Sequence, residues 1–148
     1  MATLYLMVGL PGSGKTTLAK QLEAGRRALR LSPDEWMWRI VGDGYDAARR
    51  EAVHAVQWEI AQRALTLGLD VILEFGFFRR AERDLYRAGA RTLGAEVRVC
   101  FMDVPREELL RRLALRNADL PPDTFDVTPE HLDLCATWLE RPTPEELI

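Results

Sequence analysis

Gly9-Leu10-Pro11-Gly12-Ser13-Gly14-Lys15-Thr16-Thr17 fits the pattern G-x-x-x-x-G-K-[ST] of a phosphate-binding P-loop. The residues on either side supply the context that gives such a pattern its meaning. Leu4 to Val8 is a short apolar run that reads as a buried strand, and Leu18, Ala19 and Leu22 fall on one side of a helix that follows. Glycines at 9, 12 and 14 let the backbone turn with its N–H groups inward and leave no Cβ between them and an anion. The new helix adds its positive end. Gly9, Pro11, Gly12, Ser13 and Gly14 are therefore the expected phosphate cradle. Lys15 is expected at the β- and γ-phosphates, Thr16 on a magnesium ion and Thr17 near the α-phosphate. Lysine is otherwise scarce: of the 20 basic residues, only Lys15 and Lys20 are lysines.

With 148 residues and 47% apolar content, the chain is long enough for one domain with a proper core, built as one sheet flanked by helices. A net charge of −3, without a basic block, argues against a long nucleic-acid footprint and favours a small substrate. Leu4 to Val8 is too short for a secretion signal, and no run approaches the length of a membrane span, so a cytoplasmic protein is expected. Cys100 and Cys135 read as two buried free thiols, and neither His54 nor His131 has zinc-ligand spacing with them. Monomer and homodimer are both left open.

Along the chain, Ala28 to Leu31 reads as a short second strand. Ser32-Pro33-Asp34-Glu35 then starts a helix, with Ser32 as N-cap, Pro33 at N1 and Glu35 closing a capping box. Asp34 has two readings: an acid suited to the helix dipole, or a carboxylate that faces a γ-phosphate and accepts the proton of an attacking hydroxyl. Trp36 and Trp38 suit the core better than a substrate wall. Arg39, on the same short helix, meets either substrate or solvent. Val53, Val56, Ile60, Ala64 and Leu67 mark one face of a long structural helix from about Tyr45, ending at Gly68.

Asp70 to Glu74 follows as a buried strand. Glu74 ends it, where a Walker B acid would hold the magnesium shell or a substrate hydroxyl; a plain polar strand end is the alternative. Phe75, Phe77 and Phe78 either roof a pocket or cap the core. Arg79 either neutralises a phosphate or starts a solvated helix. A helix to about Leu93, a strand from Glu96 to Met102 and a helix opened by Asp103-Val104-Pro105 come next. Arg112 and Arg116, at i and i+4, project from one face into a loop-forming stretch, which suits either a phosphoryl-transfer lid over about residues 112–127 or an exposed face paired with Glu107 or Glu108. Thr128-Pro129-Glu130 starts a last helix, and no fifth strand is evident.

With Gly9 to Thr17, Asp34, Glu74 and Arg112-x-x-x-Arg116 in that order, nearly the whole chain resembles the small P-loop kinases grouped around polynucleotide 5′-hydroxyl kinase, zeta-toxin, chloramphenicol phosphotransferase and gluconate kinase. The resemblance implies a three-layer α/β fold with a parallel sheet in the order 2-3-1-4, and ATP with magnesium in the P-loop. It implies Asp34 as base, with Lys15, Arg112 and Arg116 spreading charge on the transferred group. Arg116 and Pro142 would then lie by the nucleotide, since the segment after the lid helps hold adenine in these kinases. Asp34, Arg39, Glu74 and Arg79 would face the acceptor. Two departures stand out: the usual fifth strand is missing, and the arginine that follows the base is displaced if it is Arg39.

Transfer of a phosphoryl group from ATP to a small hydroxyl compound is the expectation that follows. A polynucleotide-end kinase is the nearest rival, and an ATP-binding regulator without kinase activity is the alternative from another class. Arg116-Asn117-Ala118-Asp119 does not fit the guanine-specific N-K-x-D, which argues against a GTPase switch.

Overall fold

The computed structural model describes residues 1–147. Four strands, β1 (Thr3–Val8), β2 (Leu29–Leu31), β3 (Val71–Gly76) and β4 (Glu96–Phe101), form one sheet in the order β2-β3-β1-β4. Every pairing is parallel, with Leu4 opposite Val71 on one side of β1 and Val97 on the other. Six helices surround it: α1 (Lys15–Arg26), α2 (Pro33–Trp36), α3 (Ala47–Thr66), α4 (Arg80–Thr92), α5 (Arg106–Ala118) and α6 (Pro129–Trp138). A π-helical turn, Met37–Val41, continues α2, and a 3₁₀ turn, Pro144–Leu147, follows α6. No helix among the described residues is long and apolar enough to cross a membrane.

The alternation of β1 explains the layering. Leu4, Leu6 and Val8 join Leu73, Ala61, Leu65 and Ala90 on the face covered by α3 and α4. Tyr5 and Met7 join Ile72 and Ala19 on the face covered by α1. A strand buried on both faces is apolar at nearly every position, and this is why β1 and β3 read as continuous apolar runs. A third cluster, Leu109, Leu113, Val127 and Leu132, ties α5 to α6 and packs against Leu10 of the P-loop.

Three details differ from the sequence reading. The buried stripe of α3 is Val53, Gln57, Ala61, Ala64 and Leu65, whereas Val56 and Leu67 are exposed. Apolar residues lie on several sides of this helix, so periodicity alone did not fix which stripe faces the sheet. β3 runs two residues past Glu74, to Gly76, because Phe75 still packs into the sheet core. Trp36 packs on the core as expected, but Trp38 is 48% exposed and meets Phe125 edge-on at 5.2 Å.

Candidate functional site

The phosphate cradle starts where β1 ends. The Gly9 N–H donates to Gly76 O at 3.3 Å, and the Ser13 N–H closes the loop on Leu10 O at 3.1 Å. Gly12 (φ 82°) and Gly14 (φ 97°) occupy the left-handed region that glycine adopts without strain. A Cβ on Gly9 would sit 2.5 Å from Ser13 Oγ, so this approach also requires glycine. Gly14 caps α1 without any side-chain bond, which leaves the amides of the first turn for an anion. Ser13 Oγ is buried without a partner, which suits a phosphate oxygen in the cradle.

Lys15 folds back over this loop, its Nζ donating to Gly9 O at 2.6 Å and to Leu10 O at 3.1 Å. Burial pulls its pKa down to about 8, against the opposing pull of Asp34 and Glu74; Arg116 adds to the lowering. One position on, the Thr16 hydroxyl donates to Glu74 Oε1 at 2.6 Å. Arg30 from β2 holds the other carboxylate oxygen at 2.5 Å and reaches Glu35 at 2.8 Å. Burial works against the Arg30 charge, but its bonds to Glu74 and then Glu35 outweigh it and raise its pKa. Glu74 therefore lies with Thr16 beside the P-loop, its side chain 4% exposed. The half of the capping box made by Ser32, which accepts from the Glu35 N–H at 3.3 Å, is present. The Glu35 carboxylate is engaged by Arg30 instead of completing it.

Asp34 lies at the start of α2 with its side chain 58% exposed, and its partner is Arg50 of α3 at 2.7 Å. Arg50 is anchored in turn on Gly44 O at 2.7 and 3.2 Å. The arginine on Asp34 is thus Arg50 and not Arg39. Arg39 points the other way, its guanidinium forked onto Asp123 with both bonds at 3.3 Å. Asp123 belongs to the segment between α5 and α6, which is strapped onto the α2–α3 corner. Phe125 packs on Gly44 and meets Tyr45 edge-on at 6.4 Å, and the Tyr45 hydroxyl donates to Asp126 O. Asn117 holds the base of the strap by bonding both the N–H and the C=O of Val127.

The two expected lid arginines share a face but not an environment. Arg112 pairs with Glu108 at 3.0 Å and leans 3.4 Å from Gly12 O, over the P-loop. Glu108 also takes Arg111, and these two arginines hold its carboxyl at about 2. Arg116 is half-buried with no partner for its Nε. Burial lowers its pKa, while Asp34 and then Tyr45 oppose that shift. Asp34, Glu74 and Arg116 are therefore each within electrostatic reach of Lys15, and Asp34 also of Arg116.

Arg79 sits exposed at the N-cap of α4, paired with no carboxylate among the described residues. Phe75 and Phe77 behind it cap the core and do not roof a pocket. Pro142 is half-buried beside Arg141, which pairs with Asp103 and lies 5.2 Å over the Phe101 ring. The sequence reading missed Arg30, Arg50 and Tyr45. Arg50, His54 and Gln57 do form a helical stripe at i, i+4 and i+7, but its polar members were masked by the apolar residues between them. It also missed that Cys135, a buried free thiol as expected, lies close enough to Lys15 for each to feel the other's charge.

A parallel sheet in this order, with a P-loop leaving its central strand, defines a P-loop NTPase of the kinase-like kind. The chain belongs to the AAA domain family, whose AAA_33 model matches residues 4–142. Among solved structures, a candidate kinase from Chloroflexus aurantiacus is similar at 23% identity and a TM-score of 0.74, over 97% of this chain and 83% of that one. A chain of the Pnkp1/Rnl/Hen1 RNA repair complex is similar at 23% identity and a TM-score of 0.77, over 93% of this chain but 44% of that one. A gluconokinase from Sinorhizobium meliloti is similar at 16% identity and a TM-score of 0.64, over 97% of this chain and 77% of that one. Each likeness is one of fold.

Proposed function

We propose that this chain is an ATP-dependent phosphotransferase that moves the γ-phosphoryl group of ATP to a hydroxyl of a small molecule. The observation that carries this reading is that Lys15, folded over the phosphate cradle, lies within electrostatic reach of Asp34, Glu74 and Arg116, with Glu74 bonded to Thr16 at 2.6 Å. The cradle alone fits any nucleotide binder. A carboxylate and an arginine within electrostatic reach of its lysine add what transfer to a hydroxyl requires.

Asp34 accepts the proton of the acceptor hydroxyl as its oxygen attacks the γ-phosphorus in line. The bond to the β–γ bridging oxygen breaks and ADP leaves with that electron pair. Lys15, Arg112 and Arg116 hold the negative charge shared among the phosphoryl oxygens. Arg50 keeps the Asp34 carboxylate oriented. Thr16 and Glu74 present an all-oxygen pair that fits a magnesium ion. Bound there, the ion would neutralise phosphate charge and order the phosphates. Residues 112–127 act as the lid of a single domain, and Pro142 lies beside the adenine. The family membership and the kinase-like sheet order support the donor half of this reading, and the net charge of −3 supports a small acceptor.

The test is ADP release with and without a panel of hydroxyl compounds, a 5′-hydroxyl oligonucleotide among them, in wild type and Asp34→Ala. Stimulation by one small compound that Asp34→Ala abolishes is the expected result. ATP binding without stimulation by any acceptor, unchanged in Asp34→Ala, would reduce the protein to a nucleotide-binding module.

A further inference from the structure

One stripe of α3 carries three polar residues, one buried and two half-buried, where a helix packed on a sheet ordinarily presents apolar ones. Arg50, His54 and Gln57 follow one another at i, i+4 and i+7, on the side of the helix that meets α2 and the carboxyl end of β3. Gln57 is fully buried, and its Nε2 donates to Ser32 O at 3.1 Å, two residues before Asp34. Its Oε1 is buried with no partner. The His54 ring stacks on Phe75 with centroids 4.2 Å apart and planes 10° apart, and makes no hydrogen bond among the described residues. Arg50 uses Nε and Nη2 on Gly44 and Asp34, which leaves Nη1 without a partner among the described residues.

Polar groups taken out of water are nearly always hydrogen-bonded, and a buried one left unbonded is destabilising. Here a buried Gln oxygen lacks a partner, and on the same stripe a half-buried imidazole and one arm of a half-buried guanidinium make no hydrogen bond among the described residues. Burial, reinforced by the Arg50 charge, holds the His54 pKa at about 4, so at neutral pH the ring is uncharged and offers one donor and one acceptor nitrogen. Phe75 fixes the ring plane. Arg50 reaches Asp34 at 2.7 Å and lies one helical turn from His54, so the three gather at the α2–α3 corner. The carboxylates around that corner are already engaged: Asp34 by Arg50, Glu74 by Arg30 and Thr16, and Glu35 by Arg30. The donors left over are cationic or neutral.

We propose that Arg50 and His54 form the acceptor-binding wall, and that the acceptor is a small hydroxylated anion. Its carboxylate or phosphate takes the free arm of Arg50, and one of its hydroxyls hydrogen-bonds the His54 ring while a neighbouring hydroxyl faces Asp34. Gln57 is a positioning residue that ties this wall to the start of α2. The inference rests on the kinase reading above and narrows its acceptor class.

Matched probe pairs test it: gluconate against glucitol, and glycerol 3-phosphate against glycerol, each titrated with magnesium and a non-hydrolysable ATP analogue present. The readouts are calorimetry and the NMR signals of the His54 ring. The anion of at least one pair is expected to move the His54 signals and to bind at least tenfold more tightly than its neutral partner. Arg50→Gln and His54→Phe should each weaken that anion at least tenfold and leave analogue affinity unchanged. His54→Gln, which keeps a donor and an acceptor, should recover part of the loss. The inference is overturned if neutral and anionic probes bind alike, if no probe moves His54, or if the variants bind the anion as wild type does. Should any of these occur while acceptor-stimulated, Asp34-dependent ADP release persists, the kinase reading stands without this wall. An anion held by Arg50 and His54 with no Asp34-dependent turnover would leave the wall and remove the kinase.

Discussion

Two neighbouring helices each carry a row of arginines at helical spacing, and the protein uses them in opposite ways. On α4, Arg80, Arg83 and Arg87 converge on Glu146 of the C-terminal turn, and the pair at the centre is almost wholly buried, with the Arg83 side chain 0% and that of Glu146 1% exposed. Arg83 also donates to Phe77 O at 2.8 Å. On α5, among the described residues, Arg112 has a single carboxylate at the surface and Arg116 has none. Spacing does not separate these rows. A carboxylate in position makes an arginine part of the fold, and its absence leaves charge for a ligand.

Removing the acid from the first row is the severest way to break this contrast. Glu146→Ala would leave Arg83 charged, buried and uncompensated, a change that typically costs about 3–5 kcal/mol. Urea unfolding should show a large fall in midpoint, and Arg83→Met with Glu146→Leu should recover much of it. The pH dependence has a definite sign. Burial alone would raise the Glu146 pKa, but the bonds from Arg83, the Thr143 N–H and Arg87 hold it at about 2, below the ordinary 4.5. Its contribution to stability is therefore complete above about pH 4.5 and is lost as pH falls toward 2. Glu146→Gln should flatten that acid limb, and an unchanged limb would show that the pair contributes nothing there.

Arg116→Ala probes the other row. With no partner for Nε and alanine favoured in helices, the unfolding midpoint should barely move, while kcat falls about 10²–10³-fold if this guanidinium meets charge only during transfer. Equal losses of stability and activity would make Arg116 a second Arg83. Between these extremes lies Gly44→Ala. The new methyl would collide with the Phe125 ring and lift the strap from the α2–α3 corner, at a cost of about 1–3 kcal/mol, measurable as faster proteolysis within 119–127. Protection equal to wild type would mean that the strap does not depend on this packing.

The same contrast explains what the sequence could and could not reveal. The P-loop was legible because its function lies in consecutive residues: three glycines whose backbone is the site, followed by Lys15 and Thr16. The sheet order followed from a resemblance carried by those residues together with Asp34, Glu74 and the Arg112–Arg116 pair. The proposed acceptor side was only half legible because it is assembled from residues far apart in the chain. Asp34 meets Arg50 across 16 positions, and Arg39 meets Asp123 across 84. Arg39 reads as meeting substrate or solvent, whereas the strap from the other end of the chain claims it. Glu146 was invisible for the same reason: nothing in Pro144-Glu145-Glu146 reveals that a buried arginine 63 residues earlier lacks a counter-charge.

The smallest expected effect is a fraction of a proton, and it bears on the arginine left without a partner. Lys15 is held at about 8 because burial outweighs the attraction of Asp34 and Glu74, and Arg116 lowers it further. A folded pKa below the unfolded one means that the native state binds fewer protons between about pH 8 and 10.5, so stability rises with pH across that window. A polyphosphate in the cradle reverses the balance, because an anion beside the ammonium favours its charged form. Nucleotide binding at pH 8.5 should therefore take up protons, a fraction of one per site, seen as a dependence of the calorimetric heat on buffer ionisation enthalpy. Lys15→Met should abolish the uptake along with most of the affinity. Arg116→Ala should only reduce it, because with that positive neighbour gone the ligand-free Lys15 starts nearer its ordinary pKa and has less to gain. Uptake in Arg116→Ala equal to wild type would place the guanidinium out of reach of Lys15 and reduce the difference between the two arginine rows to one of burial.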